Sequence, residues 1–324
     1  MTPQATRHAD APTWLVWTSL WIVYIVWGST YLAIRIVVET MPPMLAGAAR
    51  FVVAGAILYL FLMLKRGARA MKVSGREIAA SAFVGGALLM GGNGLVMIAE
   101  QGVPSGLAAL LIATVPLWVV LMRRVTGDKV SRGTLGGVGV GFVGVALLVL
   151  PGEASTGADT GGVILLLIAS LSWAIGSFLS PKLPLPKDPF TSTAVQMLCG
   201  GLILLLVGLI LGEASQVRFE EFSAASAVAL LYLIVIGSWL AFTAYVWALQ
   251  NAPISKVATY AYVNPVIALF LGWLILSEKI SLPMLAGAAV IVASVAGIVR
   301  RESGAKKQEK LEAAPAALAG ADAS

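Results

Sequence analysis

The sequence predicts an all-α membrane protein of ten transmembrane helices, arranged as two inverted five-helix repeats with the N- and C-termini cytoplasmic. Three observations carry that expectation. First, 59% of the 324 residues are hydrophobic and only 12% are charged, whereas a soluble domain carries roughly 25% charged residues. Second, the apolar residues fall into blocks of about 20, the length that crosses a hydrocarbon core of roughly 30 Å. Third, the chain repeats itself. Glu100-Gln101-Gly102-Val103-Pro104 is answered by Leu249-Gln250-Asn251-Ala252-Pro253, and Pro116 and Pro265 follow Pro104 and Pro253 by twelve positions each. After one further inserted residue, Asp128-Lys129-Val130-Ser131 answers Glu278-Lys279-Ile280-Ser281, and Leu135-Gly136-Gly137 answers Leu285-Ala286-Gly287.

The elements follow in order. After a polar cytoplasmic tail (1–14), the first block (about 15–34) ends in Trp27-Gly28-Ser29-Thr30-Tyr31 without a small-residue cleavage pattern, so it reads as a retained helix and not a signal peptide. Blocks at 43–63, 77–98, 104–123 and 133–150 complete the first repeat, 15–150. An external linker (151–160) leads to blocks at 161–180, 190–211, 226–249, 255–276 and 282–300, which form the second repeat, 161–300. Residues 301–324, rich in Ala, Lys and Glu, read as a disordered cytoplasmic tail. Loops between blocks are short, leaving no separate soluble domain.

Basic residues set the orientation. With the N-terminus inside, inner segments hold Arg7; Lys65, Arg66, Arg69, Lys72 and Arg76; Arg123, Arg124, Lys129 and Arg132; Lys182 and Lys187; Lys256; and Arg300, Arg301, Lys306, Lys307 and Lys310. Outer segments hold only Arg35, Arg218 and Lys279. That bias places both termini in the cytoplasm. The formal charge of +6 is therefore an orientation signal, and no aromatic-interleaved basic patch points to nucleic acid. Because each repeat has an odd number of helices, the second is inverted: the Gln101–Pro104 hairpin lies outside and Gln250–Pro253 inside.

Chemistry is restricted by what is missing. A single cysteine, Cys199, excludes an internal disulfide and a cysteine metal cluster, and in its apolar run it reads as a small hydrophobe. The only histidine, His8, lies in the polar tail, so intramembrane zinc or Ser-His-Asp chemistry has no histidine to use. No G-x-x-x-x-G-K-[ST] phosphate loop supports ATP hydrolysis. We therefore expect no enzyme, no cofactor and no metal. A channel should show rings of like charge or a carbonyl filter, and none is evident. Gly133, Gly137 and Gly141, four residues apart, permit close helix contact within the chain or at a dimer seam, so the chain is a monomer or a homodimer.

Candidate site residues come from helix faces. In helix nine Lys256, Tyr260 and Asn264 form a polar stripe, whereas the aligned Leu107, Leu111 and Val115 of helix four are apolar. One half could thus hold a polar end of a substrate and the other an apolar end. Alternatively, Asn264 bonds a neighbouring helix and Lys256 snorkels to the cytoplasm. Trp27 and Tyr31 in helix one, Asn93 in helix three, Trp173 in helix six and Trp239 in helix eight supply aromatic walls with a few polar groups. For Trp27 and Trp173, core packing is an equal alternative. Arg50 lies well inside helix two, where an arginine costs roughly 2.5–3.5 kcal/mol on insertion scales. Its candidate partners are Glu100, helix carbonyls near Pro42 and Pro43, or a substrate carboxylate. With all sixteen carboxylates in tails, loops or span ends, proton coupling would run through Glu100 or be absent. Pro116 and Pro265, at mid-helix, each remove a hydrogen bond and kink their spans.

These residues resemble the EamA-type branch of the drug/metabolite transporter superfamily. The resemblance is carried by Trp27 through Tyr31, Pro42-Pro43 with Arg50-Phe51, Asn93-Gly94, Pro104-Ser105-Gly106 through Pro116, Ser172-Trp173-Ala174, Ala258-Thr259-Tyr260 through Asn264-Pro265, Gly272 and Glu278. One departure is Gly127-Asp128, where the family often has Gly-Glu. The resemblance implies a ten-helix bundle in a bacterial inner membrane with a central cavity from helices one, three, four, six, eight and nine. It also implies a secondary transporter exporting or exchanging small metabolites or amphipathic compounds, amino acids among them. Inverted repeats suit alternating access; a passive channel or facilitator is the alternative. The expected partners are a small-molecule substrate and the lipid bilayer.

Topology is directly measurable. In a Cys199→Ala background, a cysteine at Gly102 should react with an impermeant thiol reagent applied to intact cells, and one at Ala252 should not. The reverse pattern would invert the orientation.

Overall fold

The computed structural model describes residues 12–67, 71–128, 130–149, 159–257, 259–298 and 300–301. The expected N-terminal tail up to residue 11, the linker through residue 158 and the tail from 302 lie outside the described residues. Among the described residues the chain is helical, without a strand. In chain order the helices are α1 (Thr13–Val38), α2 (Pro43–Arg66), α3 (Gly75–Ala99), α4 (Ser105–Val125), α5 (Arg132–Val149), α6 (Thr160–Leu179), α7 (Pro189–Ile210), α8 (Ala224–Asn251), α9 (Tyr260–Leu276) and α10 (Leu282–Ile298). Seven are long and apolar enough to cross a membrane, and the apolar stretches of α5, α9 and α10 are shorter.

Helix starts are marked by local chemistry. Ser74 and Glu77 form a capping box at α3. Asp159, Asp188 and Ser223 accept from the backbone N–H groups of Gly162, Thr191 and Ser226, capping α6, α7 and α8. Helix α2 follows Pro42-Pro43 and has no such residue of its own. Its cap comes from a distant loop: Glu213, 5% exposed, accepts from Met44 N at 3.1 Å and Leu45 N at 2.9 Å.

Continuous spans were expected, and four of them are interrupted. Helix α3 contains a π-helical stretch over Gly86–Gly94, and α8 contains another over Leu233–Leu240. Each is the third helix of its expected repeat. Helix α4 divides into Ser105–Ile112 and Val115–Val125. Pro116 has no N–H, and its ring would clash with the carbonyl four residues back, that of Ile112. The Thr114 hydroxyl also bonds back to the Leu111 carbonyl at 2.7 Å. Pro116 therefore opens a segment, whereas Pro265 lies inside α9. The ninth span starts as a separate turn, Ile254–Val257, so Lys256 does not share the helix of Tyr260 and Asn264.

One continuous core contains residues from both repeats, including Leu20, Met97, Leu111, Met197, Tyr245 and Val295. Close approach rests on small residues. Gly201 of α7 stands where a Cβ would come 2.8 Å from the Val52 backbone nitrogen of α2. The α5 glycines face partners in the same chain, Gly137 towards Ile298 and Gly141 towards Leu117 and Ser294.

Removing the distant cap should be measurable. Glu213→Ala leaves two N–H groups of α2 without their acceptor and should cost about 1–2 kcal/mol, seen as a lower melting temperature in detergent. Glu220→Ala, at an exposed site, should leave it unchanged.

Candidate functional site

The expected site residues divide into two sets. Trp27, Tyr31, Arg50, Asn93, Trp173, Tyr260 and Asn264 line one central cavity of about 50 Å³, together with Thr30, Phe51, Ile112, Gly237 and Phe242. A water needs roughly 10–15 Å³ of such space, so the cavity holds a few waters or a small headgroup. Its walls come from α1, α2, α3, α4, α6, α8 and α9, so both repeats contribute.

Arg50 is 2% exposed. Its Nε donates to Ser238 Oγ at 2.7 Å, its Nη1 donates to Asn93 Oδ1 at 3.3 Å, and its guanidinium lies 4.6 Å from the Phe51 ring centroid. Of the partners weighed from sequence, neither Glu100 nor the Pro42-Pro43 carbonyls reach it. Both hydrogen-bond partners sit in the π-helical stretches, and each follows a glycine or precedes one: Gly237-Ser238 and Asn93-Gly94. At Gly237 a Cβ would come 3.2 Å from Arg50 Nη2 and 3.1 Å from Thr30 Cγ2. A side chain there would push the guanidinium away.

The opposite wall is aromatic. The Trp27 ring centroid lies 5.3 Å from Trp173 and 5.5 Å from Tyr260, both edge to face, and 4.7 Å from Tyr245. Trp27 Nε1 donates to the Gly237 carbonyl at 3.3 Å, and the Tyr245 hydroxyl pairs with Ser177 Oγ at 2.7 Å. Trp27 and Trp173 therefore line the cavity and pack the core at once. Oriented to meet its acceptors, the Asn264 amide nitrogen donates to the Tyr24 carbonyl at 3.0 Å and the Tyr260 carbonyl at 3.2 Å. Asn264 thus ties α9 to α1 while it borders the cavity.

Trp239, Lys256 and Glu100 lie elsewhere. Trp239 is 37% exposed on an outer groove, edge on to Phe61. Trp239 does share a helix face with Thr243 and Trp247, as α-helical spacing groups them, but that face borders the outer groove and not the central cavity. Phe242 and Tyr245 point inward instead. Lys256 Nζ stands 4.5 Å over the Trp17 ring, the snorkelling alternative. Tyr245 and Ser238 were missed, although the small polar pair Gly237-Ser238 in an apolar run resembles Gly92-Asn93 and could have flagged one of them.

Glu100 follows α3 directly, beside the expected external hairpin. It is fully buried, both carboxylate oxygens lack a hydrogen-bond partner, and Arg35 donates to its backbone carbonyl. Burial, reinforced by the Glu278 carboxylate and opposed by Arg35, holds its carboxyl well above the usual range. Next to it, Glu278 accepts from Ser105 N at 2.8 Å and Gly106 N at 3.2 Å, clasping the start of α4 to the end of α9. The aligned acid of the other repeat behaves differently: Asp128 pairs with Arg123 at 2.9 Å in an exposed site. Among the described residues no three metal-ligating side chains gather.

The sequence profile of the EamA-like transporter family matches residues 15–150 and again 160–300. The chain is 39% identical over 255 residues to the "Uncharacterized inner membrane transporter YedA" of Escherichia coli strain K12, covering 78% of this chain and 80% of that protein. It is 27% identical to the "Uncharacterized transporter YoaV" of Bacillus subtilis, covering 84% and 92%. A solved crystal structure superposes with a TM-score of 0.62 at 18% identity, over 88% of this chain and 96% of that one, a likeness of fold.

Glu100 makes stability pH-dependent. Its carboxyl is raised in the folded protein, so between the ordinary carboxylate range and that raised value the native state holds a proton the unfolded chain lacks. Stability should fall as pH rises through that interval. Melting temperatures at pH 5 and pH 8 should differ less for Glu100→Gln than for the wild type.

Proposed function

The chain belongs to the EamA-like transporter family, and from that premise we propose that it exports or exchanges small metabolites or amphipathic compounds, amino acids among them, by alternating access through the central cavity. It is a membrane transporter and a multi-pass protein of the inner membrane. The observation that carries the finer reading is the unequal state of the two aligned acids. Glu278 holds the α4 and α9 ends together at one face, while Asp128 stays in an exposed pair at its own loop. Two inverted repeats in different local states are what alternating access requires. A cavity of about 50 Å³ at the centre of the bundle, lined by both repeats and, among the described residues, without a ring of like charges, suits a carrier better than a pore.

In this reading Glu278 is a clasp whose release opens the cavity outward. Its two acceptor bonds go to N–H groups at a helix start, where a carboxylate is also favoured by the helix dipole. Interactions of this size can be exchanged for others during a transport cycle.

Two measurements test the reading. In reconstituted vesicles, uptake of a transported metabolite should saturate and be accelerated by the same compound loaded on the far side. Uptake that rises linearly with concentration and shows no counterflow would instead indicate a channel. In a Cys199→Ala background, Tyr31→Cys should be labelled by an impermeant reagent several-fold faster when Glu278→Ala is added. Unchanged labelling would remove Glu278 from the gate.

A further inference from the structure

Arg50 is a buried cation with neutral company. The described ion pairs lie elsewhere, at Arg66–Asp188, Arg123–Asp128 and Arg218–Glu221. The two buried glutamates are turned to other tasks: Glu213 caps α2, and Glu100 lies beside Arg35 at the end of α3. Among the described residues, no carboxylate reaches the Arg50 guanidinium. Ser238 and Asn93 accept two of its five N–H donors. Nη2 is not engaged in either of these bonds, and it lies against the space kept open by Gly237, 3.2 Å from where a Cβ would stand. A cation removed from water is costly unless an anion and a full set of acceptors replace its hydration. The missing charge is therefore a requirement of the site.

We infer that Arg50 is the anion receptor of the central cavity and that the substrate is an organic carboxylate with an apolar body and no ammonium group. This rests on the reading of that cavity as the transport site and narrows the substrates proposed above, removing the amino acids from them. A planar guanidinium, with donors on adjacent nitrogens, matches a carboxylate two bonds at a time. The cavity of about 50 Å³ is of headgroup size, and the aromatic wall of Trp27, Trp173 and Tyr260 supplies an apolar surface for the body. Among the described residues, no acid lines the cavity to receive an ammonium. Trp27–Trp173, Trp27–Tyr260 and Tyr245–Tyr260 pack edge to face at 82–89°, which commits one ring face in each pair to a neighbour's edge instead of to a cation. Like-charge repulsion from Arg50 adds to the discrimination against amines.

The test compares four compounds with one body: 3-phenylpropionate, 3-phenylpropanamide, 3-phenylpropylamine and phenylalanine. Binding to the purified full-length protein is followed by tryptophan fluorescence, and counterflow is measured in vesicles. The propionate should bind at least ten-fold more tightly than the amide and the amine, and more tightly than phenylalanine. Arg50→Gln should bring the propionate within about two-fold of the amide, and a cooperative melting transition of the same variant shows that it is folded. Arg50→Lys should keep part of the preference. If Arg50→Gln does not fold, the wild-type series and Arg50→Lys decide. Equal affinity for propionate and amide, preference for the amine or phenylalanine, binding of none of the four, or full propionate preference in Arg50→Gln would each overturn the proposal. Propionate preference without counterflow would support the anion receptor and count against the carrier reading, so the two fail separately.

Discussion

In hydrocarbon there is no water to satisfy a stray polar group, and this constraint organises the whole molecule. Every interruption of a helix must be answered from inside the protein. The π-helical stretch of α8 presents the Gly237 carbonyl to the Trp27 indole, and that of α3 presents the Ala87 carbonyl to Ser172 Oγ at 2.9 Å. The start of α2, which the diproline leaves without a local cap, takes Glu213 from a loop 169 positions away. The start of α4 takes Glu278 from the loop after α9. These are long-range bonds between elements, so satisfying the backbone and joining the repeats are the same act.

The same constraint makes the cavity chemically legible. Gly92 and Gly237 allow aromatic and cationic groups to approach backbone: at Gly92 a Cβ would come 2.6 Å from the Trp173 ring. Side chains that would otherwise fill the centre are displaced to its rim, where Trp27 meets Trp173, Tyr245 and Tyr260. Arg50 enters this space from α2 and is met by a hydroxyl and an amide, which solvate it without neutralising it. Aromatic packing and an uncompensated charge together give the site a sign. A wall of tryptophans alone would have left that sign open.

Much of this was legible in the chain, for identifiable reasons. Span positions followed from continuous apolar runs, since a bilayer admits few other readings of twenty such residues. Arg50 stood out because a charge inside a span is expensive wherever its partner lies. Trp27, Tyr31, Asn93, Trp173, Tyr260 and Asn264 were singled out by helical spacing, and they border one cavity. Trp239 shows what that rule leaves out: Trp239, Thr243 and Trp247 share one face, but it borders the outer groove, while Phe242 borders the cavity, because spacing groups residues without saying which face turns inward. Lys256 was separated from Tyr260 by a break that spacing alone does not reveal.

The sequence by itself determined that the chain spans a membrane, how its charges bias it there, that it carries two copies of one plan, and which rare polar groups lie within the spans. Those properties depend on composition and local order, which are written residue by residue. The tertiary structure alone decided that Arg50 bonds Ser238 and Asn93 and, among the described residues, no acid, that Glu278 bonds a distant helix start while Asp128 bonds its neighbour Arg123, and that Phe242 and not Trp239 lines the cavity. Each of these turns on helix phase and on contacts between segments far apart in the chain. Such contacts are set by packing, and no local pattern encodes them.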